Sequence, residues 1–305
     1  MNSPKHSVSV VITCYNHARY LGEAIESALG QTHPHTQVIV VDDGSKDNSA
    51  EVAASYANVR LIRQENGGVV AARNRGIRES EGTYVVVLDG DDRLLPSALE
   101  TGARHLSARP ECAFVYGRCR HINGDGTARP SPSIPRFEKD HYVELLRSCH
   151  IYMPAMVMHR REVLDSFGGF DAALDHSCDY DLYLRITQQL PVFDHGEVVA
   201  EYREHDANMT RNAEHMWRCT ISALGAQWKN VKGNRRYEEA YKRGMKQWQE
   251  CYSEQLVDRV RDRVRARAEW GKAGRDVAVL LRRYPQAVVK HAYRKLYSTV
   301  FRGKA

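Results

Sequence analysis

Residues 7–30, SVSVVITCYNHARYLGEAIESALG, change hydrophobic period once. Residues 7–13 are a β-branched run of strand length closed by Cys14, Tyr15 and Asn16, after which Leu21, Ala24, Ile25, Ala28 and Leu29 recur on one helical stripe. The segment predicts strand, loop and helix, and the pattern then repeats. Residues 38–41 are an apolar run that stops abruptly at Asp42-Asp43-Gly44-Ser45, and a helical pattern occupies 49–57. Residues 60–63 read as a third strand, the Asn66-Gly67-Gly68 turn leads into a helix-like stretch over 69–80, and 84–88 form another apolar strand. Strands alternating with helices predict an α/β domain, a mostly parallel central sheet flanked by helices.

Ligands of such sheets bind beyond the carboxyl ends of the strands. Here those loops are acidic: Asp42 and Asp43 end one strand, and Asp89, Asp91 and Asp92 end another. Carboxylates packed this densely repel one another unless a positive group sits among them, most simply a divalent cation that takes oxygen ligands. Further along, the prolines of 130–135 (PSPSIP) impose a loop or flap, 142–147 look helical and 155–159 look like a strand. Asp179 lies near the start of a plausible helix, where a carboxylate complements the macrodipole. Beyond Thr210 prolines and strand patterns nearly vanish, so the expected division is a catalytic domain over 1–214 and a helical region over 215–305.

The charge divides the same way. Residues 215–305 hold 22 basic and 8 acidic side chains, a net of +14, against a net of −8 for 1–214, so the overall +6 is a sum of two unlike parts. With 42% hydrophobic residues there is material for a sizeable core, which excludes disorder throughout. No run approaches the roughly 18 apolar residues of a membrane-spanning helix. The start of the chain does not read as a signal peptide, and seven scattered cysteines without a C-x-x-C pair suggest reduced, structural thiols in the cytosol.

In order and spacing the motifs resemble the inverting GT-A glycosyltransferases of family 2. The matching pieces are VSVVITCYNHARYLGEAIESALGQT at 8–32, VIVVDDGSKDNS at 38–49, ENGGVVAARNRGIRESEGTYVVVLDGDD at 65–92, GGFD at 168–171, DYDLYLRI at 179–186 and YREH at 202–205. The resemblance implies a GT-A fold with a C-terminal helical appendage. It implies that Asp43 contacts the donor base beside Thr13, Tyr15 and Asn16, and that Asp89, Asp91 and Asp92 form the D-x-D region holding the metal and the donor's ribose and phosphates. It implies Asp179 as general base and His205 near the metal and diphosphate; Arg73 and Arg75, positive groups nearby in sequence, are expected to help hold the diphosphate. Mn²⁺ or Mg²⁺ would be the cofactor, since a bound cation neutralises the departing diphosphate without a proton. The expected donor is a UDP-sugar, and the expected acceptor a hydroxyl of a glycan or lipid-linked molecule, deprotonated by a carboxylate. The chain departs from the family pattern at Cys178, where a Glu often precedes the base, and at Thr13-Cys14-Tyr15, where Pro-Thr-Tyr is common.

Other readings of the same residues stand beside these. Asp42 and Asp43 are ordinary turn caps, Asp89 to Asp92 can cap a helix, and Asp179 and Asp181 can be first-turn acids, with Asp181 the more structural of the two. His205 can pair with Glu204 or Asp206, and Cys178 fits a packed thiol better than a nucleophile. In the basic region, Leu256, Val260 and Val264 line one side of a helix otherwise rich in arginine, and Val289, Tyr293, Leu296 and Val300 repeat at helical spacing. That pattern fits peripheral contact with an anionic membrane, or helices packed against protein; nucleic acid ranks third, for want of a recognition motif. The rival functions are an inactive transferase scaffold that binds a membrane or partner, and a sugar nucleotidyltransferase, which the Cys14-Tyr15-Asn16 loop disfavours because it lacks a glycine-rich, lysine-bearing phosphate loop.

Overall fold

In the computed structural model, which describes residues 7–174, 177–206 and 208–285, the predicted alternation of strands and helices is realised. The order is β1 (Val8–Cys14), α1 (Ala18–Leu29), β2 (Thr36–Asp42), α2 (Ser49–Ala54), β3 (Val59–Arg63), α3 (Val69–Arg78) and β4 (Tyr84–Asp89). There follow β5 (Arg93–Leu94), α4 (Ala98–Ser107), β6 (Phe114–Asn123), α5 (His141–Arg147), β7 (Val157–Arg160), α6 (Arg161–Ser166), α7 (Cys178–Thr187) and β8 (Phe193–Glu204).

All seven residues of β1 are buried, because β1 is flanked by β2 and β4 and covered on its faces, which is why its sequence is a continuous apolar run. The strand order is β3-β2-β1-β4-β7-β6-β8-β5. The β3-β2-β1-β4 half is wholly parallel; beyond it β7 runs antiparallel to β4 and β6, β8 is parallel to β6, and β5 is antiparallel to β8. Helix α3 lies tight on β1: a Cβ on Gly76 would sit 2.1 Å from Val11 Cγ1. The expected strand over 155–159 begins at Val157, after a 3₁₀ turn at Pro154–Met156.

The chain divides into two compact units, Met1–Asn208 and Met209–Ala305. The second contains α8 (Ala213–Ala226), α9 (Trp228–Val231), α10 (Arg235–Arg265) and α11 (Trp270–Arg283). Its core joins Ala213, Tyr252, Leu256, Leu280 and Tyr284, with Trp217, Trp248 and Val260 packed on them. Of the Leu256, Val260, Val264 stripe, Leu256 is therefore in this core, Val260 packs against it and Val264 is exposed. The repeat at Val289, Tyr293, Leu296 and Val300 lies outside the described residues. Among the described residues no helix is long and apolar enough to cross a membrane.

Candidate functional site

Parallel strands bring their carboxyl ends together, and the acids predicted from the sequence collect there. Asp89 is the last residue of β4, level with Thr13 on β1, whose hydroxyl donates to it at 3.3 Å. The guanidinium of Arg73, from α3, grips the same carboxylate in a fork of 2.9 and 3.0 Å. Arg73 is only 5% exposed, so it backs the acid from within and does not reach into the open site as a phosphate contact. Arg75 points elsewhere, pairing with Glu79 at 3.0 Å.

The next two acids are adjacent but differ in environment. Asp91 Oδ2 lies 3.0 Å from His205 Nε2, and the His205 ring stacks on Tyr20 with centroids 4.8 Å apart. Burial would raise the Asp91 pKa, but the hydrogen bond from His205 and the nearby His17 and His205 rings outweigh it and hold the carboxyl below the ordinary value. Asp92 is 2% exposed, and its Oδ1 accepts the Arg203 backbone N–H at 2.7 Å. Desolvation first, then the charges of Asp91 and Asp89, push its pKa well above the ordinary carboxyl value. The expectation that Asp92 shares a metal with Asp91 meets this geometry: its carboxyl is turned into the protein.

Arg203, the arginine of YREH, is a site residue that sequence reasoning passed over. Its Nε donates to the Asp91 carbonyl at 2.8 Å, its Nη2 donates to Glu23 at 2.6 Å, and its guanidinium lies 4.8 Å over the Tyr20 ring. Asn208 completes the turn by donating to the Arg203 carbonyl at 2.9 Å. His17 was also missed: it precedes α1, and a Cβ on Gly90 would approach its Nδ1 to 3.1 Å, so the Asp89–Asp92 loop is pressed against the β1–α1 loop.

Asp43, also buried, accepts from Gln64 Nε2 at 2.7 Å and from the Gly67 and Gly68 amides at 2.9 and 2.8 Å, which fixes the Asn66-Gly67-Gly68 turn. Gly68, with φ 85°, needs the left-handed region that glycine supplies. Asn16 is itself left-handed at φ 56°, and its Oδ1 accepts the Lys46 amide at 2.8 Å while its own amide donates to Ser45 at 3.0 Å. Tyr15 beside it is exposed.

Asp179 sits in the first turn of α7, and its Oδ1 accepts the Tyr180 amide at 2.8 Å. Desolvation raises its pKa, against the pull of Arg73. Cys178, where relatives often carry Glu, is fully buried, receives Arg73 Nη1 on its sulfur at 3.4 Å, and has its thiol pushed up to about 12, chiefly by burial. It is a packed thiol. Asp181 pairs with Arg185 at 2.6 Å, whose other nitrogens hold the Phe167 and Gly169 carbonyls. Asn74 and the Phe170 backbone exchange hydrogen bonds of 2.8 and 3.0 Å, so GGFD is a structural clamp beside Arg73.

A second group, His105, His195 and Glu197, brings three ligand atoms within 4.8 Å of one another at the opposite end of β8. The two rings stack with planes 3° apart, so their in-plane lone pairs run parallel and do not aim at one point. Glu197 instead accepts from Arg104 at 3.0 Å and lies 2.8 Å from His105. This is an ion-pair cluster.

Comparison with known proteins bears on the whole arrangement. The sequence profile of Glycosyl transferase family 2 matches residues 9–168. An uncharacterized glycosyltransferase of Rickettsia felis is 31% identical over 228 residues, covering 70% of this chain and 37% of that protein. The hyaluronan synthase of Pasteurella multocida is 28% identical over 228 residues, covering 73% of this chain and 22% of the synthase. The chain thus spans well under half the length of these two relatives. Among solved structures, the Pyrobaculum calidifontis mannosyltransferase PcManGT in complex with GDP-Man and Mn²⁺ aligns with TM-score 0.65 at 17% identity, over 95% of this chain and 80% of that one. S. aureus TarS 1-349 with UDP-GlcNAc aligns with TM-score 0.60 at 16% identity, over 85% and 87%. These structures share the fold.

Proposed function

The chain belongs to glycosyl transferase family 2, and from that premise we propose that it moves a sugar from a UDP-sugar to a hydroxyl of a glycan or lipid-linked acceptor, inverting the anomeric centre. The chemistry is assigned to the first unit. Asp179 is the general base: its carboxylate takes the acceptor hydroxyl proton as that oxygen attacks the anomeric carbon, while the bond to the diphosphate breaks on the far side of the sugar. One displacement gives inversion.

Asp89, anchored by Arg73, orients the donor ribose. Thr13, Tyr15, Asn16 and Asp43 receive the base; Asp43 accepts three hydrogen bonds, and a carboxylate has about four acceptor sites, which leaves one for a ring N–H. Asp91 and His205 fit a divalent cation, Mn²⁺ or Mg²⁺, because an ionised carboxylate oxygen and an imidazole nitrogen stand 3.0 Å apart. Bound there, the ion would supply positive charge for the leaving diphosphate. Asp92 and Arg203 keep the loop that carries Asp91 in place.

The observation that carries this reading is that the buried guanidinium of Arg73 holds Asp89 and also meets the sulfur of Cys178, the residue next to Asp179, with the Asp91–His205 pair beside Asp89. The nucleotide sugars of TarS and PcManGT support a donor of this class, the Mn²⁺ of PcManGT supports a divalent ion, and the name of the hyaluronan synthase supports a glycan acceptor. We assign the enzyme to the cytoplasmic side of a membrane, in peripheral contact with anionic lipid through its basic C-terminal helices. Titration of the protein with UDP, UDP-GlcNAc and GDP-Man, with Mn²⁺ or with EDTA, tests the donor site. The expected result is metal-dependent binding that favours the uridine nucleotides; equal binding with EDTA, or preference for GDP-Man, contradicts the assignment made here.

A further inference from the structure

The apolar face of α11 is wider than the core beneath it. Ala273 and Leu280 are buried, Leu280 within the core of the second unit, whereas Trp270, Val277 and Leu281 are 60%, 38% and 58% exposed. At about 100° of turn per residue these three fall within about 40° of one another, on a strip adjoining the buried one. Far from a scatter of single surface residues, they form an aligned strip ending in a tryptophan.

The charges around the strip are one-sided. Arg275 and Arg282, both exposed, lie about 100–120° further round the helix from it, on the side away from the core, and Arg265 and Arg267 are exposed at the end of α10 and in the turn that follows. The acids of α11 and its approach are engaged by neighbours: Asp276 pairs with Arg259 and Arg263, and Glu269 with Arg263 and Lys272. On α10 the corresponding row is mostly taken up by the core, because Leu256 is buried and Val260 packs against it, which leaves Val264, 46% exposed, as a single residue.

We propose that the strip Trp270–Val277–Leu281, with Arg265, Arg267, Arg275 and Arg282 around it, is a docking surface for an anionic lipid bilayer. The inference rests on the peripheral contact proposed above and names the surface that makes it. Such a helix lies in the interfacial plane with its aliphatic residues among the acyl chains, tryptophan at headgroup level, and arginines against lipid phosphates. A second copy of the chain is a poorer occupant, because it would oppose like positive charges.

Co-sedimentation of the full chain with phosphatidylcholine vesicles, with and without phosphatidylglycerol, tests this. The expected result is binding to the anionic vesicles only, weakened by roughly tenfold or more in Trp270→Ser/Leu281→Ser and in Arg275→Glu/Arg282→Glu. Circular dichroism unchanged from wild type would show that these surface variants remain folded. Wild type that stays in the supernatant with anionic vesicles overturns both the surface and the peripheral contact. Wild type that sediments while Trp270→Ser/Leu281→Ser sediments equally overturns the α11 surface and leaves peripheral contact standing. A wild-type dimer in solution that the double variant splits makes a second copy the occupant and also overturns the proposal.

Discussion

Asp91 and Asp92 are neighbours in the chain, yet the carboxyl of one is shifted down by His205 and His17 and that of the other up by burial and by the charges of Asp91 and Asp89. Their division of labour with Asp179 gives a paired expectation. Asp179→Asn keeps donor and metal affinity but lowers transfer by about 10²–10⁴-fold, the usual contribution of a positioned general base. Asp91→Asn weakens metal-dependent donor binding, so the two variants separate in a titration run beside a rate assay. The pH dependence follows from the raised Asp179 pKa: as the proposed base it must be ionised, so the rate is expected to fall with acid at a pH above that of an ordinary aspartate. Arg73 opposes that rise, so Arg73→Gln moves the acid limb of the pH–rate profile to still higher pH. At this level the sequence shows which acids gather, because they end apolar strands. It does not show that Arg73 faces inward, that Asp92 is buried against the Arg203 amide, or that Arg203 holds the Asp91 carbonyl, since each depends on burial against residues distant in the chain.

Strands β1, β2 and β4 are readable as unbroken apolar runs because both of their faces are covered. Strands β6 and β8 went unread for the opposite reason: they carry charges that are satisfied only across the ladder. Arg118 on β6 forks onto Asp194 on β8 at 2.8 and 2.7 Å, and Glu201 on β8 accepts from both Arg93 and Arg120 at 2.6 Å. In sequence these look like solvated positions. The α3–β1 contact, by contrast, has a local sign in Gly76. Gly76→Val would drive methyl groups into Val11 and Val41 and cost about 1–3 kcal/mol, measurable by denaturant unfolding, with donor affinity falling as Arg73 is displaced.

Over the whole chain, a net charge of +6 conceals an acidic N-terminal part and a basic C-terminal part. The acidic part has a chemical use in the proposed site. In the basic part the structure distinguishes two apolar rows that the sequence leaves merged, because Leu256 and Val260 of α10 are drawn to a core while Trp270, Val277 and Leu281 of α11 stay exposed, the row proposed above to meet lipid. Screening at high salt should therefore weaken vesicle binding steeply, over the range in which the Debye length falls from about 10 Å to about 3 Å. Donor turnover, assigned to short-range contacts at Asp43, Asp89 and Asp91, should change much less, and the two salt profiles can be compared in one buffer series.

The most direct measurement is nucleotide release by the full chain from UDP-, GDP- and dTDP-sugars, with Mn²⁺ or with EDTA, in wild type and Asp179→Asn. The account predicts release from a UDP-sugar that EDTA abolishes and Asp179→Asn nearly eliminates. Release from no donor under any of these conditions, or release indifferent to both EDTA and Asp179→Asn, would contradict it.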